Sequence, residues 1–273
     1  MGVDEHTIEV AGASVFYRRG AAADTETLYL HSVPTSCDDW SELLALTGGV
    51  APDLLGFGRS DKPGSLSYSL ESYVTFVEDF LDALELPAVR LVGHGWGAAI
   101  GLLFAQRHPD RVQRLAIIDA IPLLPEFRWP PIARRLRSPG LGELLMGSVN
   151  RRVLARLLRR GSASPDAWSS ARIDSVWEHF DQGTQRAILR LQRSVDEPWL
   201  AAAGDGLQRL QQPALVVWGE QDPWLDPSFA DAYGRHLGAA TVERIPGAGH
   251  WPWLDQPELT ARLSAFVAGP QAS

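Results

Sequence analysis

The sequence predicts an α/β fold, a mainly parallel sheet with helices on both faces and an inserted helical segment. Strand-like and helical segments alternate before residue 120 and again after residue 210, whereas the stretch between them has helical periodicity without convincing strands. Strands that alternate with helices favour a parallel sheet covered on both sides. We therefore expect a core formed by residues 1–120 and 211–273, and a helical cap formed by residues 121–210.

The first part of the chain begins with short strands and continues with a β-α-β unit. A helix is predicted over residues 70–86, where apolar residues recur at helical spacing, and Pro87 ends it. The helix that follows the fifth strand covers residues 96–108. The strands predicted here are residues 8–10, 15–17, 28–30, 49–52, 89–92 and 112–119.

The last part repeats the alternation, and the middle part is helical and basic. Strands at 214–218 and 241–245 are each followed by a helix, at 228–237 and 257–267. Residues 121–210 hold 14 arginines against 9 acidic residues, so this segment is positive although the whole chain has a net charge of −8. Its predicted helices are residues 141–158, 166–180 and 184–193.

Composition excludes several classes of function. The net charge of −8 argues against a nucleic-acid-binding protein, which carries a basic surface. Cys37 is the single cysteine of the sequence, so an internal disulfide and a multi-cysteine metal site are excluded. Neither an 18-residue apolar span nor a signal peptide is present, so we expect a cytoplasmic protein without a membrane partner. We expect a monomer or homodimer that uses no cofactor and no metal.

The most informative motif is Gly93-His94-Gly95-Trp96-Gly97, between a predicted strand and a predicted helix. A strand, a tight turn flanked by glycines and a helix form a nucleophile elbow, in which the middle residue carries the attacking atom. That middle residue is Gly95, which has no side chain. The sequence thus predicts the frame for covalent catalysis without its nucleophile.

Three further segments follow predicted strands and therefore lie at the same edge of the sheet, where open α/β folds bind ligands. They are residues 31–36, 219–222 and 247–251. The chain order of nucleophile, acid and histidine assigns the acid to Asp222 and the general base to His250. Asp119, at the end of another predicted strand, is the alternative acid.

These motifs resemble those of α/β-hydrolase-fold enzymes over nearly the whole chain, most closely the epoxide hydrolase and haloalkane dehalogenase branch. Residues 51–63 are similar to a loop of that branch, residues 31–34 to its His-Gly-x-Pro motif, and residues 93–97 to its Gly-His-Asp-Trp-Gly elbow. The resemblance implies an aspartyl ester that a histidine-activated water hydrolyses. It also implies an oxyanion hole formed by the backbone N–H groups of Val33 and Trp96, with Trp96 beside the nucleophile.

The chain departs from that branch at the residues that carry its chemistry. Gly95 replaces the nucleophile, and Ser32 replaces the glycine of the oxyanion motif. Val33 stands where many haloalkane dehalogenases have a halide-binding asparagine. Residues 121–210 contain no tyrosine, although epoxide hydrolases use cap tyrosines to protonate the epoxide oxygen.

The remaining candidates have mainly structural interpretations. We expect His31 to brace the oxyanion loop by hydrogen bonds and His94 to point away from the pocket. Cys37 is expected to be a small buried residue rather than a replacement nucleophile. Four cap tryptophans are candidates to line a pocket: Trp129, Trp168, Trp177 and Trp199. Helix-spaced aromatic residues are usually core residues, so we expect only one or two of the four to contact substrate, with Trp168 and Trp177 as the main candidates.

The sequence therefore predicts a divergent hydrolase-like enzyme that acts on a hydrophobic small molecule such as an epoxide, an ester or a polycyclic metabolite. His250 and Asp222 would provide general acid/base catalysis without a covalent intermediate. Two alternatives stay open at this point. One is a conventional epoxide hydrolase or haloalkane dehalogenase whose nucleophile has been replaced by Gly95, and the other is a non-catalytic small-molecule binding protein.

Overall fold

The computed structural model describes residues 2–21 and 26–269 and contains one eight-stranded sheet in the order β1-β2-β4-β3-β5-β6-β7-β8. β2 runs antiparallel to both of its neighbours, and β3 to β8 are mutually parallel. The strands are β1 (Asp4–Val10), β2 (Ala13–Gly20), β3 (Thr27–Leu30), β4 (Gly49–Pro52), β5 (Val89–His94), β6 (Val112–Ile118), β7 (Ala214–Gly219) and β8 (Ala240–Ile245).

Helices before β6 and after β7 flank this sheet, and six more lie between β6 and β7 in the chain. The flanking helices are α1 (Ser41–Thr47), α2 (Leu70–Ala83), α3 (Gly95–Arg107), α10 (Ser228–His236), α11 (Pro252–Asp255) and α12 (Glu258–Ala268). The six cap helices are α4 (Pro131–Arg137), α5 (Leu141–Gly147), α6 (Arg151–Arg160), α7 (Ser170–Glu178), α8 (Gln182–Arg193) and α9 (Glu197–Ala203). Within residues 2–21 and 26–269, no helix is long and apolar enough to cross a membrane.

The predicted α/β fold is confirmed, and strands lie at all eight predicted places. The helix predicted over residues 141–158 is instead two helices, because the Asn150 side chain accepts the N–H groups of Arg152 and Val153 and begins α6. The prediction also missed α4 and α9. Both carry proline in their first turn, where it is compatible with a helix, but in a sequence it suggests a loop. The exact division into core and cap stays a prediction.

The centre of the sheet holds the elbow in place. β5 lies between β3 and β6, and α3, which follows it, is buried on nearly all sides. A Cβ atom at Gly97 would lie 2.3 Å from the carbonyl oxygen of Leu30. Only glycine allows this close approach of helix to sheet. The first turn of α3 is thereby fixed against the end of β3.

The carboxyl ends of five parallel strands meet at one edge, and each is followed by a predicted site residue. His31 follows β3, Gly95 follows β5, Asp119 follows β6, Asp222 follows β7 and His250 follows β8. The parallel topology is the reason that residues scattered over more than 200 positions converge there.

Candidate active site

The elbow has the backbone of a nucleophile turn. Gly95 has φ of +51°, in the left-handed region that favours glycine. Beneath it the buried ring of His94 forms a 2.7 Å hydrogen bond between Nε2 and the carbonyl oxygen of His250. Burial, together with the neighbouring His250, lowers the pKa of His94 well below its usual value. His94 is therefore a neutral structural residue, consistent with the sequence expectation.

The side chain of Ser32 occupies the space that an elbow side chain would use. A Cβ atom built on Gly95 would lie 2.2 Å from Ser32 Oγ and 2.8 Å from Ser32 Cβ. Both distances are far inside van der Waals contact. The same Cβ atom would lie 3.7 Å from Nε2 of His250. Ser32 and Gly95 are thus a matched pair, and a hydroxyl group stands beside the place where the nucleophile would begin.

The predicted oxyanion hole is changed by this serine. The backbone N–H of Trp96 donates to Ser32 Oγ over 3.2 Å, so it already has an acceptor. The oxyanion hole formed by the N–H groups of Val33 and Trp96 stays a prediction, and use of the Trp96 N–H would require this bond to Ser32 to break. Ser32 and Val33 both line the cavity, and the Ser32 hydroxyl group brings a further hydrogen-bond donor to this part of the site.

The opposite wall of the site holds the predicted acid and histidine. Nδ1 of His250 and Oδ2 of Asp222 are 2.7 Å apart, which confirms the predicted hydrogen bond. Oδ1 of Asp222 accepts the backbone N–H groups of Trp224 and Leu225, over 2.8 and 3.1 Å. These bonds fix the carboxylate, which in turn holds the ring so that Nε2 stays available on the cavity side.

Asp119 is not the partner of His250. Its Oδ1 atom accepts the backbone N–H of Gly219 over 3.0 Å, and its backbone is strained, with φ of +41°. Burial, and next the charge of Asp222, raise the pKa of Asp119 well above its usual value. Burial and the neighbouring Asp222 thus both disfavour ionisation of Asp119.

A metal ion has one candidate position in the described part of the chain. Ligand atoms of Asp119, Asp222 and His250 lie within 4.8 Å of one another. Nδ1 of His250 and the carboxylate of Asp222 are already hydrogen-bonded to each other, and a raised pKa disfavours the ionised form of Asp119 that would bind a metal. The arrangement suits a hydrogen-bonded acid/base group better than a metal centre.

His31 braces the loop after β3, as the sequence suggests. Its Nε2 atom accepts the backbone N–H of Leu54 over 2.9 Å, so Nδ1 carries the proton and donates to the carbonyl oxygen of Ser32 over 2.8 Å. His31 does not line the cavity. Cys37 is buried, and burial raises the pKa of its thiol well above the usual value, which leaves it unsuited to nucleophilic attack.

An apolar cavity of about 340 Å³ lies between the strand ends and the cap helices. Its polar side chains are few: Ser32, Ser148, Gln192 and His250. Among the described residues that line it, three buried polar atoms have no hydrogen-bond partner: Nε1 of Trp129, Nε1 of Trp251 and Oε1 of Gln192. An apolar wall with a few unsatisfied donors and acceptors fits a mainly apolar ligand that carries at least one hydrogen-bonding group.

The tryptophans that line this cavity do not include the two main candidates, Trp168 and Trp177. Trp168 packs edge-on against Trp251, Trp177 stacks on Phe180, and neither lines the cavity, so the structure lends no support to their predicted contact with substrate. Trp129 does line it, stacked on Trp96 with ring centroids 5.9 Å apart. Helical periodicity could not distinguish these residues, because it does not say which neighbour each face meets.

Asp255 is a positioning residue that belongs to no motif recognised in the sequence. Its carboxylate accepts the backbone N–H groups of Ala163, Ser164 and Gly249, over 2.8 to 3.0 Å. In addition, the His250 N–H donates to the carbonyl oxygen of Gly161 over 2.6 Å. The loop that carries the histidine is therefore tied to the end of α6.

Comparisons with known proteins agree with this architecture. Residues 28–257 match the sequence profile of the α/β hydrolase fold. A haloalkane dehalogenase from Mesorhizobium japonicum is 34% identical over 283 residues, covering 94% of this chain and 89% of its own. Epoxide hydrolase 2 from Caenorhabditis elegans is 28% identical over 227 residues, with 77% and 63% covered. The crystal structure of the haloalkane dehalogenase DbeA from Bradyrhizobium elkani has a TM-score of 0.86 at 25% identity, covering 98% of each chain.

The fold and the profile match place the chain in the α/β-hydrolase family. Within it, the relatives identify the branch that contains haloalkane dehalogenases and epoxide hydrolases. The relatives of this branch are hydrolases, and they support a hydrolase enzyme for this chain.

Proposed function

We propose that the protein is a divergent hydrolase that acts on a hydrophobic small molecule by His–Asp acid/base catalysis without a covalent intermediate. The substrate class is an epoxide, an ester or a polycyclic metabolite. One observation carries the proposal: the elbow has Gly95 with Ser32 packed into its side-chain space, while the His250–Asp222 pair is intact at 2.7 Å.

In this mechanism His250 acts directly on water. Its Nε2 atom takes a proton from a water molecule in the cavity as the oxygen attacks the substrate carbon, and Asp222 stabilises the resulting imidazolium. The Ser32 hydroxyl and the Val33 N–H donate hydrogen bonds to the oxygen on which negative charge develops. His250 then returns the proton to the leaving oxygen, so neither ester nor net proton remains on the enzyme.

The apolar cavity supports the substrate class. Its lining is dominated by aliphatic and aromatic side chains, and its volume of about 340 Å³ is within the range of small-molecule sites. The unsatisfied indole N–H of Trp129 and the amide oxygen of Gln192 offer a donor and an acceptor. A substrate that is mainly apolar but carries one or two polar groups would satisfy both.

A second candidate function uses Ser32 itself as the nucleophile. Its Oγ lies 2.2 Å from the point where an elbow side chain would begin, and that point is 3.7 Å from His250 Nε2. In an ester hydrolysis, the hydroxyl proton would pass to His250 as Oγ bonds to the acyl carbon, and His250 would return it to the departing oxygen, which leaves as the alcohol. A water molecule would then cleave the acyl–Ser32 bond, release the acid and restore the hydroxyl group. This route differs from the proposal in one observable respect, an acyl group on Ser32.

Two measurements separate these possibilities: single-turnover hydrolysis in oxygen-18 water detects an ester on a carboxylate, and peptide mapping detects an acyl group on Ser32. We expect every product molecule of an epoxide probe to contain label in the first turnover, with none in the protein. An activated ester should leave no acyl group on the enzyme at any time. Peptide mapping that finds an adduct on residues 93–97 would contradict the proposal, and an adduct on Ser32 would establish the second candidate.

The binding-protein alternative is tested by His250→Ala. A binding protein would keep its ligand affinity and never show turnover, whereas the proposed enzyme keeps affinity and loses turnover. His6→Ala is a matched control, because His6 is exposed on β1, far along the chain from the site.

A further inference from the structure

The outer surface of the first three cap helices has an unusual charge balance. Residues 131–160, which contain α4, α5 and α6, carry eight arginines and a single acidic residue, Glu143. Glu143 is already bound by Arg193, over 2.5 and 2.9 Å. This surface is therefore strongly positive, although the whole chain has a net charge of −8.

Most of these arginines have no acidic partner. Arg151 pairs with Asp174, and Arg137 donates to backbone oxygens of residues 192 and 195. The other six are exposed, and no carboxylate in the described part of the chain lies within ion-pair distance of them: Arg134, Arg135, Arg152, Arg156, Arg159 and Arg160.

The same helices expose large apolar side chains. Among the described residues, five large hydrophobic side chains are strongly exposed, and four of them belong to α4–α6: Leu144 at 71%, Leu141 at 43%, Ile132 at 40% and Leu157 at 36%. The fifth is Leu46 on α1. Exposed apolar side chains concentrated on one surface mark an interaction site.

This surface shares two of its exposed apolar residues with the cavity. Ile132 and Leu157 both line the cavity and reach solvent, so they mark its opening. Behind them the wall continues with apolar side chains from the same three helices, including Leu136, Leu145 and Val153. An apolar molecule can therefore pass from this surface to His250 along an apolar path.

We propose that the surface of α4–α6 docks peripherally on an anionic lipid membrane, from which the apolar ligand of the cavity enters. The four exposed apolar side chains would lie at the level of the lipid headgroups, and the six arginines would contact lipid phosphates. Such docking needs no spanning helix. The expectation of no membrane partner rested on the lack of a membrane-spanning segment, and that lack does not bear on peripheral docking.

Two other occupants fit the surface less well. A second copy of the chain related by a two-fold axis would bring arginines against arginines. An acidic protein that carries the substrate on a tether would match the charge. A polar tether, however, would have to lie along the cavity entrance, where few side chains can hydrogen-bond to it. Lipid satisfies both the charge and the apolar path. The inference stands whether or not the proposed reaction is right, because binding is measured without turnover.

The test is sedimentation with phosphatidylcholine vesicles, with and without phosphatidylglycerol. We expect binding to the anionic vesicles only, and weaker binding as salt is raised. Leu144→Glu and the pair Arg156→Gln with Arg160→Gln should each weaken binding about tenfold or more. The matched controls are Leu46→Glu and Arg107→Gln, which alter an exposed leucine and an exposed arginine outside the cap and should bind as the wild type does.

Three outcomes would overturn the proposal. Absence of binding to anionic vesicles at low salt is the first, and equal losses in the control variants are the second. The third is a protein that does not bind vesicles but forms a specific complex with an acidic carrier protein, or a dimer in solution, that Leu144→Glu disrupts.

Discussion

The active site has a base side and an elbow side, which depart from the usual hydrolase pattern to different degrees. The base side, Asp222 and His250, has a hydrogen bond of 2.7 Å and a carboxylate held by two further N–H groups. The elbow side, Gly95 and Ser32, keeps the turn but has a serine where the nucleophile would stand. Loss of function alone would leave an empty elbow and no constraint on its neighbour. The filled elbow supports the proposal that a water molecule activated by His250, rather than an elbow side chain, attacks the substrate.

The largest effect should come from the base side. His250→Ala removes the proposed general base, and we expect turnover to fall by about 10²–10⁴-fold. Ligand affinity, measured by calorimetry, should change little, because the cavity wall is mainly apolar. His6→Ala should retain full turnover. Turnover that survives His250→Ala would remove the base side from the mechanism.

The elbow side can be tested by restoring the nucleophile in two backgrounds. Gly95→Asp alone should fold poorly, because its Cβ atom would lie 2.2 Å from Ser32 Oγ and 2.8 Å from Ser32 Cβ. A left-handed backbone at residue 95 adds about 1–3 kcal/mol of strain. Gly95→Asp combined with Ser32→Gly removes the clash. We expect the double variant to have the higher melting temperature and to form an ester with haloalkane or epoxide probes.

A single variant that is as stable as the double variant would show that Ser32 moves aside freely. In that case the two residues are not a matched pair. The alternative of a conventional enzyme with a replaced nucleophile would then gain support.

A smaller effect should follow from loosening the histidine loop. Asp255→Asn keeps the shape but removes the charge that three backbone N–H groups contact. We expect a loss of about 1.5–3 kcal/mol in the free energy of unfolding, measured by urea denaturation. Asp166→Asn, at an exposed position in the cap, is the control and should be neutral. Equal stability of the two variants would mean that Asp255 does not fix the loop.

The smallest effect should come from replacing Asp119, the buried acid beside Asp222. The pKa of Asp119 is raised in the fold, so its contribution favours the folded state below the ordinary pKa near 3.8 and weakens as pH rises towards the folded value. Asp119→Asn cannot ionise and keeps the acceptor for Gly219. We expect its melting temperature to match the wild type near pH 4 and to exceed it increasingly as pH rises. A difference that is independent of pH would contradict the raised pKa of Asp119.

The sequence predicted the base side better than the elbow side, for a physical reason. Strand ends in a parallel sheet converge, so the order of motifs was enough to pair Asp222 with His250. Ser32 and Gly95 were each identified as unusual, but their contact joins loops 63 positions apart and depends on ångström-scale packing. The same limit applies to Trp168 and Trp177, whose helical spacing did not reveal that other side chains separate them from the cavity. Asp255 had no motif, because its role consists of backbone contacts.

Hydrolysis without a covalent intermediate is tested most directly by intact-protein mass spectrometry during turnover. The wild type and the Ser32→Gly/Gly95→Asp double variant are measured in parallel. Rapid acid quenching would preserve any ester. We expect the mass of the wild type to stay constant at every time point while product accumulates, and the double variant to gain the mass of the substrate. An adduct on the wild-type protein at catalytic rates would contradict hydrolysis by directly activated water.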